Sequence, residues 1–323
     1  LWKVEINMIV SKCPLRISLA GGSTDSPAFL EKYKTGRVIS FTPQLYTYTT
    51  IHQDINGFNN LDKEYLLSYS KFEKCSEVKD IKNELIKGVF ESLRFEPVKL
   101  SLSADVFSLG SGLASSSSYI INLVASYYHL AGLEMDSMNI CRLAHHVESS
   151  INPLNGYQDT YGCGLPGFKL MEFDESGHVT STPIKSDIFE EFDFYLIYTG
   201  IKRKSTDILK TVNIIKSRLL LREVDSMYEA LQKNDYDTFF KKFKNSWKKK
   251  KSTSDSILGT QSLQELDRQL SRQRNVLAHK LCGAGGGGYF LVIVKKDKQI
   301  TLDKHLPYIN ISLDTEGIKT IKL

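Results

Sequence analysis

The sequence predicts an α+β protein in two halves that divide near residue 190. Strand-prone runs rich in Val, Ile, Thr and Tyr alternate with segments whose apolar residues recur at helical spacing. Glycine-rich stretches punctuate the chain, and the order of elements is strands, helices, strands, helices and strands again. We therefore expect one domain over residues 8–190 and a second over residues 191–323.

The first half is predicted to begin with a strand and to end with a pair of helices. The predicted elements, in chain order, are a strand at 8–19, a short helix at 28–34, strands at 38–51 and 64–70, a helix at 78–93, a strand at 98–106, and helices at about 117–131 and 137–150. The last of these has Ile140, Leu143, Ala144 and Val147 on one face. Residues 152–168 are rich in Gly and Pro and are expected to connect elements.

The second half is predicted to begin with a buried strand at 192–200. Two polar helices are expected over residues 205–251 and 261–280, then a glycine run, a strand, and a final pair of strands. The segment KKFKNSWKKKK (241–251) holds seven lysines, and such runs usually form a solvated helix face. A nucleic-acid site would need more interleaved aromatic residues and a wider basic surface.

Composition narrows the class of protein. The 323 residues carry a formal net charge of +5, which can help attract an anionic substrate but is too mild to indicate nucleic-acid binding. The five cysteines are scattered without a CxxC pair, which favours a reduced, cytoplasmic protein over a disulfide framework or a zinc site. No apolar run approaches the roughly 18–20 residues of a membrane span. Residues 1–7 are either an expression remnant or an extra edge strand.

A serine-rich loop, GSGLASSSS (110–118), lies directly before a predicted helix. Its small residues would let backbone N–H groups approach an anion closely, and its hydroxyls could bind phosphate oxygens or Mg²⁺. It is not a Walker A loop, because it contains no lysine and no GK[ST] follows. On its own, the loop is equally compatible with a linker or an unusual helix cap.

Two other segments contain residue types that suit a ligand-binding site. In PLRISLAGGSTDSP (14–27), a carboxylate beside hydroxyls suits recognition of a polyol, although the segment taken alone favours an ordinary capped turn. In CGAGGGGYF (282–290), five glycines in six positions indicate a close backbone approach, either to a ligand or to another loop. A tolerant surface turn is the alternative, and the β-rich flanks make it less favoured.

In combination and order, these three segments resemble the signature motifs of the GHMP kinases, over essentially residues 8–323. The resemblance implies an α+β, two-domain GHMP kinase fold, with a ribosomal-S5-like ATP-binding N-terminal domain and a ferredoxin-like C-terminal domain. It also implies ATP as co-substrate and Mg²⁺ as cofactor. The serine loop would then wrap the ATP phosphates at a helix N-terminus, and Ala114 stands where a glycine is frequent in the family.

Three further stretches narrow the resemblance. GYQDTYG (156–162) is similar to the segment that supplies the catalytic aspartate in part of the superfamily. YSKFEKC (69–75) and YTGIKRKSTDIL (198–209) resemble stretches of heptose 7-phosphate kinases and fucokinase-type enzymes. The reaction implied is phosphorylation of the anomeric C1 hydroxyl of D-glycero-D-manno-heptose 7-phosphate to the 1,7-bisphosphate. That product would feed nucleotide-activated heptose and surface polysaccharide synthesis.

The resemblance assigns a role to each matching residue. Asp159 would accept the proton of the sugar hydroxyl, with Arg16 holding it ionised, and Ser116 and Glu148 would ligate Mg²⁺. The nucleotide-binding residues would be Gly110, Ser111, Gly112, Leu113, Ala114, Ser115, Ser116 and Ser117. The substrate-binding residues would be Gly21, Gly22, Ser23, Thr24, Asp25, Arg203, Gly285 and Gly286, with Arg203, between Lys202 and Lys204, meeting the distal phosphate.

Two other functions remain open from the sequence. One is a sister anomeric kinase of the fucokinase type, which would accept an unphosphorylated sugar. The other is a non-catalytic sensor of sugar or nucleotide that keeps the fold, although a sensor has no need of the full set of catalytic groups. The expected partners are a small sugar phosphate and ATP, without nucleic acid or membrane, and a homodimer is one option for the assembly.

Overall fold

The computed structural model describes residues 7–53, 63–107, 110–202, 205–302 and 306–323, and within them the strands form three sheets. The strands are β1 (Asn7–Pro14), β2 (Ile17–Ala20), β3 (Thr35–Phe41), β4 (Tyr46–Gln53), β5 (Tyr65–Ser68), β6 (Phe72–Cys75), β7 (Lys99–Ala104), β8 (Phe168–Asp174), β9 (Val179–Pro183), β10 (Phe192–Tyr198), β11 (Val276–Leu281), β12 (Tyr289–Lys295), β13 (Tyr308–Ile311) and β14 (Lys319–Lys322). The α-helices are α1 (Pro27–Tyr33), α2 (Glu84–Leu93), α3 (Ser115–Leu130), α4 (Ser137–Ile151), α5 (Tyr157–Gly164), α6 (Ile188–Glu191), α7 (Ser205–Leu209), α8 (Ile214–Ser217), α9 (Leu219–Gln232), α10 (Tyr236–Lys251) and α11 (Gln261–Arg272), with 3₁₀ turns at Val78–Asp80 and Asp255–Leu258.

The largest sheet has six strands in the order β14-β1-β4-β7-β5-β6, and only β5 and β7 run parallel to each other among its described pairs. Alternation along β4 turns Thr47, Thr49 and Ile51 inward, as expected for a strand with one covered face. Helix α3 packs against β1 and β4, and α2, α4 and α5 pack around α3. This helical layer holds the N-terminus of α3 against the first part of the chain.

The other two sheets have the orders β2-β3-β8-β9 and β11-β12-β10-β13. Helix α9 packs on β2 and β3, and α10 packs on β2 and β11. One hydrophobic cluster joins these elements and includes Ile39 and Phe41 of β3, Phe194 of β10 and Phe243 of α10. Its members come from both sides of residue 190, so apolar burial stabilises the contact between the two predicted halves.

The α+β class is confirmed, but several strands differ from the prediction. The single strand expected at 8–19 is two strands, because Pro14 ends β1 without an N–H to offer, and β2 then joins another sheet. The final pair of strands is not a pair: β13 lies beside β10, and β14 lies beside β1. β14 therefore belongs to the sheet of the first half, although it lies beyond the predicted boundary. Residues 1–6 lie outside the described residues.

The helices also differ in extent. The helix predicted over 205–251 is four helices, α7 to α10, and Asn213 and Asp235 cap two of the starts with their side chains. The second polar helix ends at Arg272, and residues predicted to continue it form β11. The connection predicted at 152–168 contains α5. All five cysteines are described, and no disulfide joins any of them.

Candidate active site

A cavity of about 590 Å³ lies where the three signature segments meet. Its walls come from the turn after β2, the serine loop before α3, the start of α5, the end of α4, helix α10 and the glycine run before β12. The residues of the predicted site that line it are Arg16, Gly22, Ser23, Asp25, Gly110, Ser111, Gly112, Ala114, Ser115, Ser116, Ser117, Glu148 and Asp159. Segments far apart in the sequence therefore form one concave surface, as a binding site requires.

The serine loop ends in the first turn of α3 at the wall of this cavity. Ala114 precedes the helix with φ of +62°, a left-handed conformation that costs an alanine about 1–2 kcal/mol and that a glycine adopts freely. The helix begins at Ser115, so its unpaired N–H groups and the positive end of its dipole lie beside the cavity. Leu113 differs from the other predicted nucleotide-binding residues, because it does not line the cavity. Its side chain is buried in the core, and its carbonyl accepts the backbone N–H of Arg16.

Arg16 and Asp159 form a salt bridge at the cavity. The guanidinium donates from Nε and Nη2 to Oδ1 of Asp159 at 3.0 and 2.7 Å, and from Nη1 to the carbonyl of Gly112 at 2.7 Å. Arg16 is only 2% exposed, whereas about a quarter of the Asp159 side chain is accessible. The arginine thus orients the carboxylate and ties it to the serine loop, and Asp159 keeps access to a ligand.

Glu148 is the second carboxylate at this end of the cavity. It is only 7% exposed because it lies on the same face of α4 as Ile140, Ala144 and Val147, and its two oxygens accept hydrogen bonds from Ser117 and Thr160, both at 2.7 Å. Burial, with a smaller effect of the nearby Asp159 charge, raises the pKa of Glu148 to about 7. A cation bound here would reverse that shift and keep Glu148 ionised.

Asp25 connects the turn after β2 to the start of α5. Its Oδ2 accepts the backbone N–H of Gln158 at 3.0 Å, and its Oδ1 accepts the Gln158 side-chain amide at 2.9 Å. The missing side chain of Gly156 makes room, since a Cβ there would lie 2.1 Å from Oδ2 of Asp25. Burial raises the pKa of Asp25 to about 6, against the opposing effect of these hydrogen bonds. Gln158 also accepts the hydroxyl of Ser18.

Two predicted substrate-binding residues in this turn shape the backbone instead of lining the cavity. Gly21 has φ of +88°, and a Cβ there would lie 1.9 Å from the carbonyl of Arg37. The Thr24 hydroxyl donates to the carbonyls of Gly21 and Arg37 and is fully buried. Both residues hold the turn against β3, so the side chains of Ser23 and Asp25 can reach the cavity.

The glycine run meets the serine loop, which was one of its two predicted contacts. Gly288 has φ of +88°, and a Cβ there would lie 2.2 Å from the carbonyl of Ser111. The cavity itself is lined by Gly283 and Ala284. Gly285 and Gly286, predicted to bind substrate, do not line the cavity. Both have positive φ, and they lie against Ile257 and Ile208 instead.

Lys250 lines the cavity, although its segment was predicted to be a solvated helix face. Its side chain is buried, and Nζ donates to Oγ of Ser23 at 2.6 Å and to the carbonyl of Gly22 at 3.5 Å. The apolar period of α10 could have identified it, since Phe243 and Trp247 are buried and Lys250 continues their face. No sequence pattern of this kind identifies Gln158, because its hydrogen-bond partner Asp25 lies in a turn 133 positions away in the sequence. Arg203 and Lys204 lie outside the described residues.

Residues 81–167 match the family model for the GHMP kinases N terminal domain. The match includes the serine loop, Glu148 and Asp159, which are the groups that the cavity brings together. This part of the chain is a GHMP kinase N-terminal domain. ATP is the co-substrate that this kinase domain implies, and the placement of the serine loop at the start of α3 agrees with a phosphate site.

Relatives that match most or all of the chain are sugar kinases by name. The chain is 29% identical to the D-glycero-alpha-D-manno-heptose 7-phosphate kinase of Campylobacter jejuni subsp. jejuni, over 98% of this chain and 99% of that protein. It is 26% identical to the L-fucokinase/L-fucose-1-P guanylyltransferase of Bacteroides fragilis, over 90% of this chain and 35% of that protein. The crystal structure of a D-glycero-D-manno-heptose 1-phosphate kinase from Bacteroides thetaiotaomicron has the same fold, with a TM-score of 0.76, 21% identity and coverage of 98% and 99%.

The groups of the GHMP kinase domain that could bind Mg²⁺ are oxygen donors. Ser116 is exposed in the first turn of α3 and lines the cavity with Glu148. A hydroxyl and a carboxylate near the N-terminus of α3 are hard ligands of the kind that Mg²⁺ prefers, so these residues fit the ion. The described residues contain no cluster of three or more His, Cys, Asp or Glu side chains that could hold a metal ion.

Among the described residues, no helix is long and apolar enough to span a membrane.

Proposed function

We propose that this chain transfers the γ-phosphoryl group of ATP to the anomeric C1 hydroxyl of D-glycero-D-manno-heptose 7-phosphate. The product is the 1,7-bisphosphate, a precursor for nucleotide-activated heptose and surface polysaccharide. The observation that carries the reaction is the Arg16–Asp159 pair, which lies in one cavity with the N-terminus of α3. The choice of sugar is supported by the full-length similarity to a heptose 7-phosphate kinase.

The phosphates of ATP are bound by the serine loop. Backbone N–H groups at the start of α3 and the hydroxyls of Ser115 and Ser116 are the donors that line this side of the cavity. Contact between Gly288 and Ser111 supports the loop from behind, so it is held in a fixed shape before the nucleotide arrives. Such preorganised donors lower the barrier, because phosphoryl transfer depends mainly on positioning and charge neutralisation.

The sugar hydroxyl attacks the γ-phosphorus, an O–P bond forms, and the bond from phosphorus to the β,γ-bridging oxygen breaks. The proton of the hydroxyl passes to Asp159. Both hydrogen bonds from Arg16 end on Oδ1 in the described structure, so Oδ2 is the oxygen proposed to accept that proton. In a loose transition state the transfer comes late, and hydrogen-bond reach matters more than the basicity of the carboxylate.

Ser116 and Glu148 are proposed to hold Mg²⁺, which neutralises charge on the phosphates when it is bound. Ser117 and Thr160 orient the Glu148 carboxylate through the two hydrogen bonds that it accepts. Partners of this kind fix a ligating carboxylate and typically contribute about 10–100-fold to metal affinity.

Asp25, Ser23 and Gly22 are proposed to form the wall that faces the sugar. Asp25 is held by Gln158, the residue before Asp159, so the sugar wall and the proton acceptor keep a fixed relative position. Carboxylate oxygens can accept further hydrogen bonds from sugar hydroxyls, since each has two lone pairs.

The experiment that tests this function is ADP release with Mg·ATP across a panel of sugars. The panel contains heptose 7-phosphate, sedoheptulose 7-phosphate, mannose, fucose and galactose, and Asp159→Asn is the matched variant because it keeps size and removes charge. We expect turnover only with heptose 7-phosphate, and a loss of about 10²–10⁴-fold in kcat for Asp159→Asn. A calorimetric titration with ATP checks that the variant still binds nucleotide.

Other outcomes of the same assay point to the alternatives. Turnover of fucose or another unphosphorylated sugar would replace the proposal with a fucokinase-type activity, which the similarity to the L-fucokinase/L-fucose-1-P guanylyltransferase makes the second candidate. ATP binding without turnover of any sugar would contradict a kinase and favour a sensor.

A further inference from the structure

The candidate active site contains a buried ammonium group from the second half of the chain. Lys250 lies at the end of α10, is only 8% exposed, and lines the cavity beside Ser23 and Asp25. It therefore reaches across from a helix of the second half to the turn after β2. Its neighbours Lys248 and Lys249 on the same helix do not line the cavity.

The partners of this ammonium are neutral. Nζ has three N–H donors, and the acceptors it meets are the hydroxyl of Ser23 and, at a longer distance, the carbonyl of Gly22. Within the described ranges, no carboxylate lies within 4.0 Å of Nζ, which distinguishes Lys250 from Lys249 and Lys251 with their partners Glu223 and Asp267. The oxygens of nearby Asp25 are hydrogen-bonded to Gln158.

The other cation at the cavity is already engaged. Among the described lining residues the positive side chains are Arg16 and Lys250, and Arg16 gives its donors to Asp159 and Gly112. Lys250 is therefore the cation of the described lining that lacks an anionic partner. Burial of an unpaired charge is costly, and proteins usually retain it where a ligand supplies the opposite charge.

We propose that Lys250 binds the phosphate group that the sugar substrate already carries. This inference rests on the proposed function and adds to it the residue that selects a sugar phosphate over a free sugar. The predicted cation for this role was Arg203, which lies outside the described residues. A lysine ammonium suits a phosphate as a compact point charge with several donors, and Ser23 can add a hydroxyl to the same oxygen cluster.

The buried environment agrees with this role. Burial lowers the pKa of Lys250 to about 8, and the charge of Asp25 opposes that shift only in part. A dianionic phosphate in contact with Nζ would favour the ammonium form and raise its pKa again. The simpler alternative is that Lys250 only attaches α10 to the turn after β2 through Ser23. The two roles differ in what they do to the choice of substrate.

The test compares two substrates in three proteins. The value of kcat/KM is measured for heptose 7-phosphate and for the corresponding unphosphorylated heptose with the wild type, Lys250→Met and Lys248→Met. Lys250→Met keeps an unbranched side chain that is one heavy atom shorter and removes its charge, and the exposed Lys248 is the matched control. Thermal unfolding checks that each variant folds. If Lys250→Met does not fold, Lys250→Gln takes its place.

We expect Lys250→Met to lower the preference for the phosphorylated sugar by about 10–100-fold, mainly through KM, because a hydrogen bond to a charged group contributes about 1.5–3 kcal/mol. Lys248→Met should keep the wild-type preference, and the KM for ATP should not change in either variant. An equal fall in kcat/KM for both sugars, or no fall, would overturn the assignment and leave Lys250 with only a structural role, in which it attaches α10 to the turn after β2. If the wild type turns over no sugar phosphate, the proposed function itself fails.

Discussion

Asp25 accepts two hydrogen bonds from one residue, Gln158, through the backbone N–H at 3.0 Å and the side-chain amide at 2.9 Å. The two residues are 133 positions apart in the chain, so the carboxylate caps the first turn of α5 from a distant loop. Asp159 is the next residue along that turn. This contact therefore couples the proposed sugar wall to the proposed proton acceptor.

Replacing the Gln158 side chain should lower both the activity and the stability of the protein. Gln158→Leu removes one of the two bonds to Asp25 and leaves a buried carboxylate under-bonded, which costs about 1–3 kcal/mol of unfolding free energy. We expect kcat to fall at least about tenfold, since small displacements of a reacting group are costly. Gln261→Leu, on an exposed helix start, is the control. An unchanged kcat in steady-state kinetics would contradict the coupling.

The Mg²⁺ requirement should identify the metal ligands. Glu148→Gln and Ser116→Ala are each expected to raise the Mg²⁺ concentration for half-maximal activity by about tenfold or more, because each removes an oxygen donor proposed for the ion. Removal of Mg²⁺ with EDTA should abolish turnover in the wild type. Glu134→Gln, an exposed position beyond α3, is the control. A normal Mg²⁺ titration for Glu148→Gln would remove that residue from the site.

The contact between the glycine run and the serine loop can be tested with two glycines of similar backbone. Gly288→Ala would place a Cβ 2.2 Å from the carbonyl of Ser111, whereas Gly132→Ala meets nothing within 4 Å. Both glycines have positive φ, so an alanine at either position lowers the free energy of unfolding by about 1–2 kcal/mol through left-handed backbone strain. We expect only Gly288→Ala also to raise the KM for ATP, by about tenfold. Equal KM values for the two variants would show that the loop does not need this support.

Lys250 should make stability depend on pH in the alkaline range. Its pKa is lowered from 10.5 to about 8 by burial, so between these values the unfolded chain binds more protons and stability rises with pH. Lys250→Met should therefore be more stable than the wild type near pH 7, by on the order of 3 kcal/mol, and this gap should shrink toward pH 10.5. Urea unfolding of both proteins at several pH values measures the gap. A gap that is constant with pH would refute the shifted pKa.

The parts of the site that follow a local pattern could be predicted from the sequence. The serine loop, the turn that holds Asp25 and the glycine run are short segments with their own composition, and each lies at or next to the cavity. Glu148 was assigned through resemblance, yet its burial follows from the helical period it shares with Ile140 and Ala144.

The parts that depend on distant contacts could not be predicted in this way. Helix α5 lies in a Gly- and Pro-rich segment, and Asp25 provides the acceptor for its first turn from far away in the sequence. Lys250 lies in a lysine-rich run whose average character is exposed, and only its position on the apolar face of α10 marks it as buried. Composition could not distinguish Gly283, which lines the cavity, from Gly285 and Gly286, which do not. The difference depends on backbone angles within one uniform glycine run.

The pairing of β14 with β1 has a consequence for how this protein is made. Ile9 lies opposite Lys322, so one ladder of the six-stranded sheet joins segments that are 313 positions apart and that leave the ribosome at different times. The partner strand β14 is synthesised only after the residues of the candidate active site, and until then β1 has one edge without its final neighbour. Contacts of such long sequence separation form slowly, and an unpaired edge invites aggregation. A newly made chain should therefore pass through an interval in which chaperones recognise it.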